Sequence, residues 1–371
     1  MRSPKDKNRR LLSLDALRGF DMLFIMGGEA FVISLMSLFP GDASDIVIAQ
    51  MGHKAWHGLA FYDIIFPLFL FMAGISTSFS LSKQLSTGKG KRDISLRILR
   101  RCAMLLFLGM LYNGLLGFDF ENMRYASVLG RIGLAWALAS LLYLWTGRRF
   151  SVIISVAVLL GYWALLALVK APDAAASVSI FSMEGSVVGY VDRILLPGRL
   201  HDAMHDPEGL LSTLPAMVTA MLGIFTGELV RKEGTGEYKK VVIMTACSLL
   251  LLSVGYMWGE LFPVNKNLWT SSFVCCAGGW SMMLFAVFYL LIDVVGFRKW
   301  AFPLRVIGMN SITIYMAQQF FDFHRPVQTV FGGLLSLFPE SLYATAYWSC
   351  YILVCWLFLY LLYRNKLFLK V

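Results

Sequence analysis

The chain has 371 residues, of which 58% are hydrophobic and 15% are charged, and its formal net charge is +10. Soluble domains contain roughly 45–50% apolar and about 25% charged residues, so this composition excludes an ordinary soluble protein and indicates a polytopic helical membrane protein. The positive charges lie in short segments between apolar runs, as topology signals do, which argues against a nucleic-acid partner.

Ten apolar segments are each long enough, at about 20 residues, to cross a bilayer as a helix. The predicted spans are 15–38, 60–82, 96–117, 127–147, 151–170, 211–230, 241–262, 270–295, 303–323 and 341–363. Residues 1–14 are a basic tail, and residues 15–371 are one transmembrane domain whose largest loop is 171–210. Within this loop, GYVDRILLPG predicts a short interfacial helix.

Lysine and arginine alternate between the two sides of these spans, with 23 on the side of the N-terminal tail and 7 on the other. The positive-inside rule therefore predicts that both termini are cytoplasmic and that the 171–210 loop is extracytoplasmic. The tail MRSPKDKNRR is too charged for a cleavable signal peptide. All six cysteines fall in apolar segments, which argues against disulfides.

The first span carries charged groups at Asp15, Arg18, Asp21 and Glu29. Arg18 and Asp21 are three residues apart and are expected to pair on one helix face. Glu29 follows Gly27–Gly28, where the backbone can approach another chain closely. These charges fit either a structural ion pair between helices or a reaction cavity.

The segment 51–74 joins two histidines to a membrane span that carries a carboxylate near its start. His53 and His57 are four residues apart and would share a face if this part is helical. Asp63 is placed where the span enters hydrocarbon, and an ionisable group there predicts function. A histidine and an acid suit proton transfer. A metal pair is the weaker alternative, because no third ligand is near and Lys54 breaks the HExxH pattern.

Three later features are candidates for ligand binding. Arg131 in the fourth span either pairs with Asp63 or Glu29 or holds an anionic ligand. The outer turn PVNKNLW supplies polar groups beside an aromatic anchor, and in the ninth span an asparagine either bonds to another helix or faces the site. The residues concerned are Asn265, Lys266, Asn267, Trp269 and Asn310.

Seven stretches, in order, resemble the heparan-α-glucosaminide N-acetyltransferase family. They are RLLSLDALRG (10–19), HKAWHGLAFYDIIFP (53–67), RYASVLGRIG (124–133), GYVDRILL (189–196), DPEGLLST (206–213), PVNKNLW (263–269) and GMNSI (308–312). The resemblance covers nearly the whole chain and is closest to a compact bacterial branch that lacks the extra N-terminal segment of the lysosomal enzyme. It implies an integral protein of the bacterial inner membrane whose active-site loop faces the periplasm.

The resemblance also implies the chemistry. The family transfers an acetyl group from cytosolic acetyl-CoA to a glucosamine amine across the membrane, without a metal, and its active histidine aligns with His53. A second active position, asparagine in the lysosomal enzyme, aligns with Glu29. A carboxylate there can accept a proton or orient a histidine, whereas an amide only forms hydrogen bonds.

On this basis we expect a membrane acyltransferase acting on an amino sugar or sugar hydroxyl of a glycan. The expected catalytic groups are His53, Glu29 and Asp63, with Trp56 and the polar groups of the outer turn holding the acceptor. Basic residues are expected to hold the CoA phosphates, namely Arg18, Arg100, Arg101 and Arg131. His53 would act either as general base or as acetyl carrier. Lipid contacts and a homodimer are further expectations, and a sugar or lipid-linked-substrate transporter or flippase is the competing class.

Overall fold

The computed structural model describes residues 11–369, and this part of the chain is helical, without a β-strand. Fourteen α-helices occur within it, joined by π-helical turns at Phe24–Gly28 and Tyr289–Val294 and a 3₁₀ turn at Leu115–Gly117. The α-helices are α1 Leu12–Leu23, α2 Glu29–Met36, α3 Asp42–Gln50, α4 Phe61–Ser86, α5 Lys91–Tyr112, α6 Val128–Leu168, α7 Val187–Leu195, α8 Thr213–Arg231, α9 Glu237–Gly259, α10 Ser271–Phe288, α11 Phe302–Met309, α12 Ser311–Phe320, α13 His324–Leu335 and α14 Glu340–Arg364.

Seven helical stretches in residues 11–369 are long and apolar enough to cross a membrane, and the chain is an integral membrane protein. Helices occupy all ten segments predicted from the sequence, and α7 confirms the short helix in the 171–210 loop. The seven stretches are Leu12–Met36, Phe61–Ser86, Val128–Leu168, Thr213–Arg231, Glu237–Gly259, Ser271–Val294 and Glu340–Arg364.

Four predicted spans differ from this set for local reasons. The fourth and fifth are the two halves of α6, which bends at Gly147, where φ is +71° and only glycine is unstrained. The third corresponds to α5, whose first half carries several basic residues that lower its hydropathy. The ninth is divided into α11 and α12 at Asn310, whose backbone leaves the helical region with φ −129° and ψ 33°.

The chain forms two compact units. In its described part, unit 1 comprises residues 11–52, 237–241 and 284–369, and unit 2 comprises residues 53–236 and 242–283. In unit 1, α1 crosses α11 in close backbone contact. A Cβ atom at Gly19 would lie 1.7 Å from the Leu304 carbonyl oxygen, and one at Gly308 would lie 1.9 Å from that of Asp15. Glycine is therefore required at this crossing.

Unit 2 is assembled around α4, α6 and α8. A Cβ atom at Gly74 would lie 2.0 Å from the carbonyl oxygen of Ala220, and one at Gly223 would lie 2.0 Å from that of Phe71. These two glycines let α4 and α8 approach at backbone distance, as small residues do in membrane helix pairs. The crossing fixes the start of α4, where Asp63 lies, against the rest of unit 2.

Candidate active site

The centre of the candidate site is a hydrogen bond between His53 Nδ1 and Asp63 Oδ1, which are 2.8 Å apart. Asp63 is the third residue of α4, and its Oδ2 accepts the backbone N–H groups of Ala60 at 3.0 Å and Lys54 at 3.3 Å. A carboxylate at this position satisfies free N–H groups at the helix start and is stabilised by the helix dipole. Because these bonds fix Oδ2, they also orient Oδ1 toward the His53 ring.

Burial divides this pair into an exposed base and an enclosed partner. The side chain of Asp63 is 1% exposed, whereas that of His53 is 52% exposed. When Nδ1–H donates to the carboxylate, the neutral imidazole keeps its lone pair on Nε2. The pair can therefore take a proton at Nε2 while Asp63 fixes the tautomer and stabilises the protonated ring.

Lys266 completes the group. Its Nζ lies 3.0 Å from His53 Nδ1, 3.2 Å from His53 Nε2 and 3.6 Å from Asp63 Oδ1. No atom in the plane of the imidazole can be this close to both nitrogens without colliding with the ring, so the amine lies over the ring face. Burial lowers the pKa of Lys266, and the nearby Asp63 carboxylate opposes that shift.

The turn that carries Lys266 is shaped by Asn265. Its side-chain oxygen accepts the N–H of Leu268 at 2.8 Å, and its own N–H donates to the Thr270 hydroxyl at 3.0 Å. Trp269 has a positive φ of +51° and is 1% exposed. The expectation that Trp269 anchors an interfacial loop is therefore wrong, because the indole is enclosed among helices and the turn folds over it.

The prediction that His53 and His57 share a helical face is also wrong. The chain between α3 and α4 is irregular, with Gly58 at φ +113° and its N–H donating to the Val264 carbonyl at 2.8 Å. His57 Nδ1 instead lies 3.4 Å from the Asn265 side-chain nitrogen, and burial lowers the pKa of His57. The two histidines have different surroundings, and of the two only His53 has an ion pair with Asp63.

Two sequence stretches that are far apart in the chain, one at Arg124 and one at residues 201–208, meet in a buried ion pair. Arg124 forms two bonds to the Asp206 carboxylate, 2.8 Å from Nε and 2.6 Å from Nη2, and also contacts Glu208. Asp206 is fully buried and further accepts the N–H groups of His201 and Glu208. Burial alone would raise the pKa of Asp206, but the Arg124 guanidinium outweighs it and the pKa is lowered.

Arg131 is 1% exposed and lies at the same end of unit 2 as Lys266. Its Nη2 donates to the Gly209 carbonyl at 2.9 Å and to the Ser212 hydroxyl, and its guanidinium carbon is 5.0 Å from the centre of the Trp269 ring. Its Nε and Nη1 are buried and have no hydrogen-bond partner in the described part of the chain. Arg131 therefore supports the turn from behind and keeps two donors unused.

His205 and Trp56 connect the outer loop to the turn. His205 Nε2 donates to the Asn267 carbonyl at 3.1 Å, and burial lowers the pKa of His205 to about 4, which keeps the ring neutral. Trp56 packs edge-on against His205 and donates from its indole nitrogen to the Phe181 carbonyl at 2.7 Å. The sequence did not single out His205, Arg124 or Asp206, because their partners are distant in the chain.

The remaining predicted site residues are placed elsewhere. Arg100 and Arg101 are exposed on α5, and the Arg101 guanidinium carbon is 4.8 Å from the centre of the Trp136 ring. Arg18, Glu29 and Asn310 belong to unit 1.

Within unit 1, Arg18 forms an ion pair with Asp15 at 3.6 Å, whereas both Asp21 oxygens are buried without a hydrogen-bond partner. The spacing allowed Arg18 to pair with Asp21, but its close ion pair is with Asp15 one turn back, and its charge acts on Asp21 without a hydrogen bond. Glu29 begins α2 directly after Gly27–Gly28, and the φ of Gly27 is +113°. Asn310 is buried, its Oδ1 accepts from the Thr313 hydroxyl of α12 at 3.4 Å, and its side-chain nitrogen has no hydrogen-bond partner within residues 11–369.

Asp192 of α7 supplies a pH-dependent prediction. Its Oδ1 accepts the Leu210 N–H at 2.9 Å while Oδ2 is buried without a partner, and burial raises its pKa to about 7. The folded state then binds this proton more tightly than the unfolded state, so stability falls as pH rises from about 4 to 7, by up to roughly 1.4 kcal/mol per pH unit. We expect Asp192→Asn to remove this fall.

Thermal unfolding in detergent between pH 5 and 8 checks this expectation. Asparagine keeps the oxygen that accepts the Leu210 N–H but cannot ionise. The melting temperature of the variant should rise relative to that of the wild type as pH rises. A constant difference between the two melting temperatures across this range would show that Asp192 does not titrate there.

The fold and the site define a helical membrane protein with a histidine–carboxylate pair beside a partly buried lysine. In residues 11–369, no group of three His, Cys, Asp or Glu side chains is arranged to hold a metal ion. No protein-family model matches the chain.

The chain is a distant relative of heparan-alpha-glucosaminide N-acetyltransferase. It is 27% identical to the Homo sapiens protein of that name and 26% identical to the Mus musculus protein, over 376 aligned residues in each case. Each alignment covers 86% of this chain, and 55% and 56% of the relatives. The chain thus spans about half the length of the curated relatives that it matches.

Proposed function

We propose that the chain is a transmembrane acyltransferase that moves an acetyl group from acetyl-CoA to the amine of an amino sugar on the extracytoplasmic side. The observation that carries this proposal is the half-exposed His53, held by the enclosed Asp63 at 2.8 Å. Acetyl transfer to an amine needs a base at the acceptor and a stabilising group for the developing oxyanion. The distant relatives, whose name is that of an N-acetyltransferase, support the same reaction class.

In this mechanism, His53 removes the acceptor proton at Nε2 as the amine attacks the thioester carbonyl. Asp63 holds the ring through Nδ1 and stabilises the imidazolium that forms. The tetrahedral intermediate then expels the CoA thiolate, which recovers the proton. An acetyl-His53 intermediate is the alternative route, in which the ring nitrogen first displaces the CoA thiolate and the acceptor amine then takes the acetyl group from it.

Lys266 is the proposed oxyanion donor. Its Nζ contacts the base directly and belongs to a turn fixed by Asn265. Removal of an oxyanion donor elsewhere costs about 2.7–4 kcal/mol of transition-state stabilisation. Asn267 and Trp56 remain proposed acceptor contacts, although the Asn267 carbonyl and the Trp56 indole nitrogen are already bonded within unit 2.

The arginines proposed to bind acetyl-CoA differ in how deeply they are buried. Arg100 and Arg101 are exposed and suit the CoA phosphates, for which arginine offers paired donors. Arg131 is enclosed near Lys266, so its unpaired donors suit the end of the site where the thioester reacts. Arg18, Glu29 and Asn310 of unit 1 stay as sequence-based proposals, as does a homodimer.

We further propose ten spans, cytoplasmic termini and an inner-membrane location with His53 facing the periplasm. The division of α6 at Gly147 and the helices in all ten segments support this count. Lys54→Cys should react with a membrane-impermeant maleimide on intact cells, whereas Thr235→Cys should react only after permeabilisation. The wild type, whose cysteines include the exposed Cys247, gives the background. The reverse labelling pattern would contradict the proposed orientation.

The reaction itself is tested with labelled acetyl-CoA and purified protein in detergent. Glucosamine should yield an N-acetylated product, while N-acetylglucosamine, whose amine is blocked, and glucose should not. Product from all three sugars would indicate transfer to a hydroxyl. Sugar uptake into proteoliposomes without any acetylated product would instead favour a transporter.

A further inference from the structure

Lys266 places a primary amine where the proposed reaction needs one. Its Nζ lies over the ring face of His53, 3.0 and 3.2 Å from the two ring nitrogens, so a rotation of the ring about Cβ–Cγ is needed to turn the Nε2 lone pair toward the amine for proton removal. An acceptor amino sugar must bring its amine within reach of the same base. The amine of Lys266 and the amine of the substrate therefore depend on the same base, from adjacent positions beside the His53 ring.

We propose that Lys266 is an internal acetyl acceptor, so that acetyl-CoA bound without an amino sugar acetylates its Nζ and inactivates the protein. This inference rests on the proposed function. It assigns a modification site to a residue that the mechanism otherwise uses only for its charge.

The surroundings of Lys266 hold the amine in place. The Lys266 carbonyl accepts the Trp269 N–H at 3.1 Å, and the next carbonyl, that of Asn267, accepts from His205. The Lys266 side chain is 17% exposed, so it is largely enclosed but still reached by solvent. A nucleophile held this way next to its base gains a large proximity advantage over a mobile surface lysine.

Charge on the amine is the main obstacle, since only neutral amine attacks. Asp63 at 3.6 Å and the more distant Glu208 favour the ammonium, whereas burial and the positive charge of Arg131 disfavour it. The net effect lowers the pKa of Lys266, which increases the neutral fraction relative to an ordinary lysine. Lys54, which is exposed in the same outer segment, has no such enclosure.

The step balances as an aminolysis. The Nζ lone pair attacks the thioester carbonyl carbon, forming a C–N bond, and the C–S bond then breaks with its electron pair on sulfur. His53 takes the proton from nitrogen and returns it to the CoA thiolate. The product is an uncharged amide that no longer pairs with Asp63 and that lies beside the acceptor position.

The test is to incubate the full-length protein with labelled acetyl-CoA, without acceptor, and to map the label by peptide mass spectrometry. Lys266 should become acetylated in a form that survives hydroxylamine, while Lys54 stays unmodified and transfer activity decays in parallel. Glucosamine added beforehand should protect both the residue and the activity. His53→Gln should slow labelling of Lys266 by roughly 10²–10⁴-fold, because the base is lost.

Lys266→Arg is the second variant, because arginine keeps the positive charge but is a very poor acetyl acceptor. Whatever transfer activity it retains should no longer decay during incubation with acetyl-CoA. Equal labelling of Lys54 and Lys266 would show unspecific acetylation and overturn the inference. Unmodified Lys266 in a protein that acetylates glucosamine would also overturn it, as would a hydroxylamine-labile label on His53 alone. If neither sugar nor protein is acetylated, the proposed function itself fails.

Discussion

Replacement of His53 by alanine should lower the rate of acetyl transfer by about 10²–10⁴-fold, because a general base contributes that much. Acetyl-CoA binding should change little, since the base acts on the acceptor proton in the transition state and not on the bound donor. The measurements are product formation with labelled acetyl-CoA and the thermal stabilisation that acetyl-CoA gives to the detergent-solubilised protein.

His57→Asn is the matched control. His57 lies in the same irregular segment but contacts Asn265 and not the carboxylate, and asparagine retains a polar group of comparable reach. We expect this variant to keep most of its activity. If His53→Ala transfers acetyl groups at a near-normal rate, the proposed site is wrong and the relationship to the transferases describes only the fold.

The largest effect on stability is expected from Asp206→Asn. Asparagine preserves the shape of the side chain but leaves the charge of Arg124 without its main partner in a buried setting. Leaving a buried charge without any partner costs roughly 3–5 kcal/mol of folding free energy, and the remaining ion pair of Arg124 with Glu208 places this variant at the lower end of that range. The melting temperature of the variant in detergent should therefore fall by several degrees at neutral pH.

Asp173→Asn provides the comparison, because Asp173 also pairs with an arginine, Arg193 at 2.7 Å, but is 44% exposed. An exposed pair contributes about 0–1 kcal/mol, so this variant should melt close to the wild type. Since the pKa of Asp206 is lowered in the folded state, its contribution is present above about pH 4 and is lost as pH falls further. The gap between wild type and Asp206→Asn should shrink in acid, and equal melting of both variants at neutral pH would contradict the proposed role of the pair.

Local sequence properties determined the class of the protein. Hydropathy depends on composition within about 20 residues, so the apolar segments were found without any knowledge of packing. The pairing of His53 with Asp63 was also accessible, because the two are ten residues apart and flank the start of one helix. The break at Gly147 was accessible too, because Arg148 and Arg149 interrupt the apolar run there and the predicted fourth span ends at residue 147.

Only the tertiary structure decided which distant groups complete the site. Lys266 contacts a histidine 213 positions away, and Arg124 contacts a carboxylate 82 positions away. These contacts exist because glycines such as Gly74 and Gly223 let helices approach at backbone distance, which brings the loops at their ends together. Periodicity records which face of a helix is apolar, but it carries no information about the partner that covers that face. The base and its carboxylate could therefore be predicted from the sequence, whereas the position of Lys266 over the imidazole ring follows from helix packing.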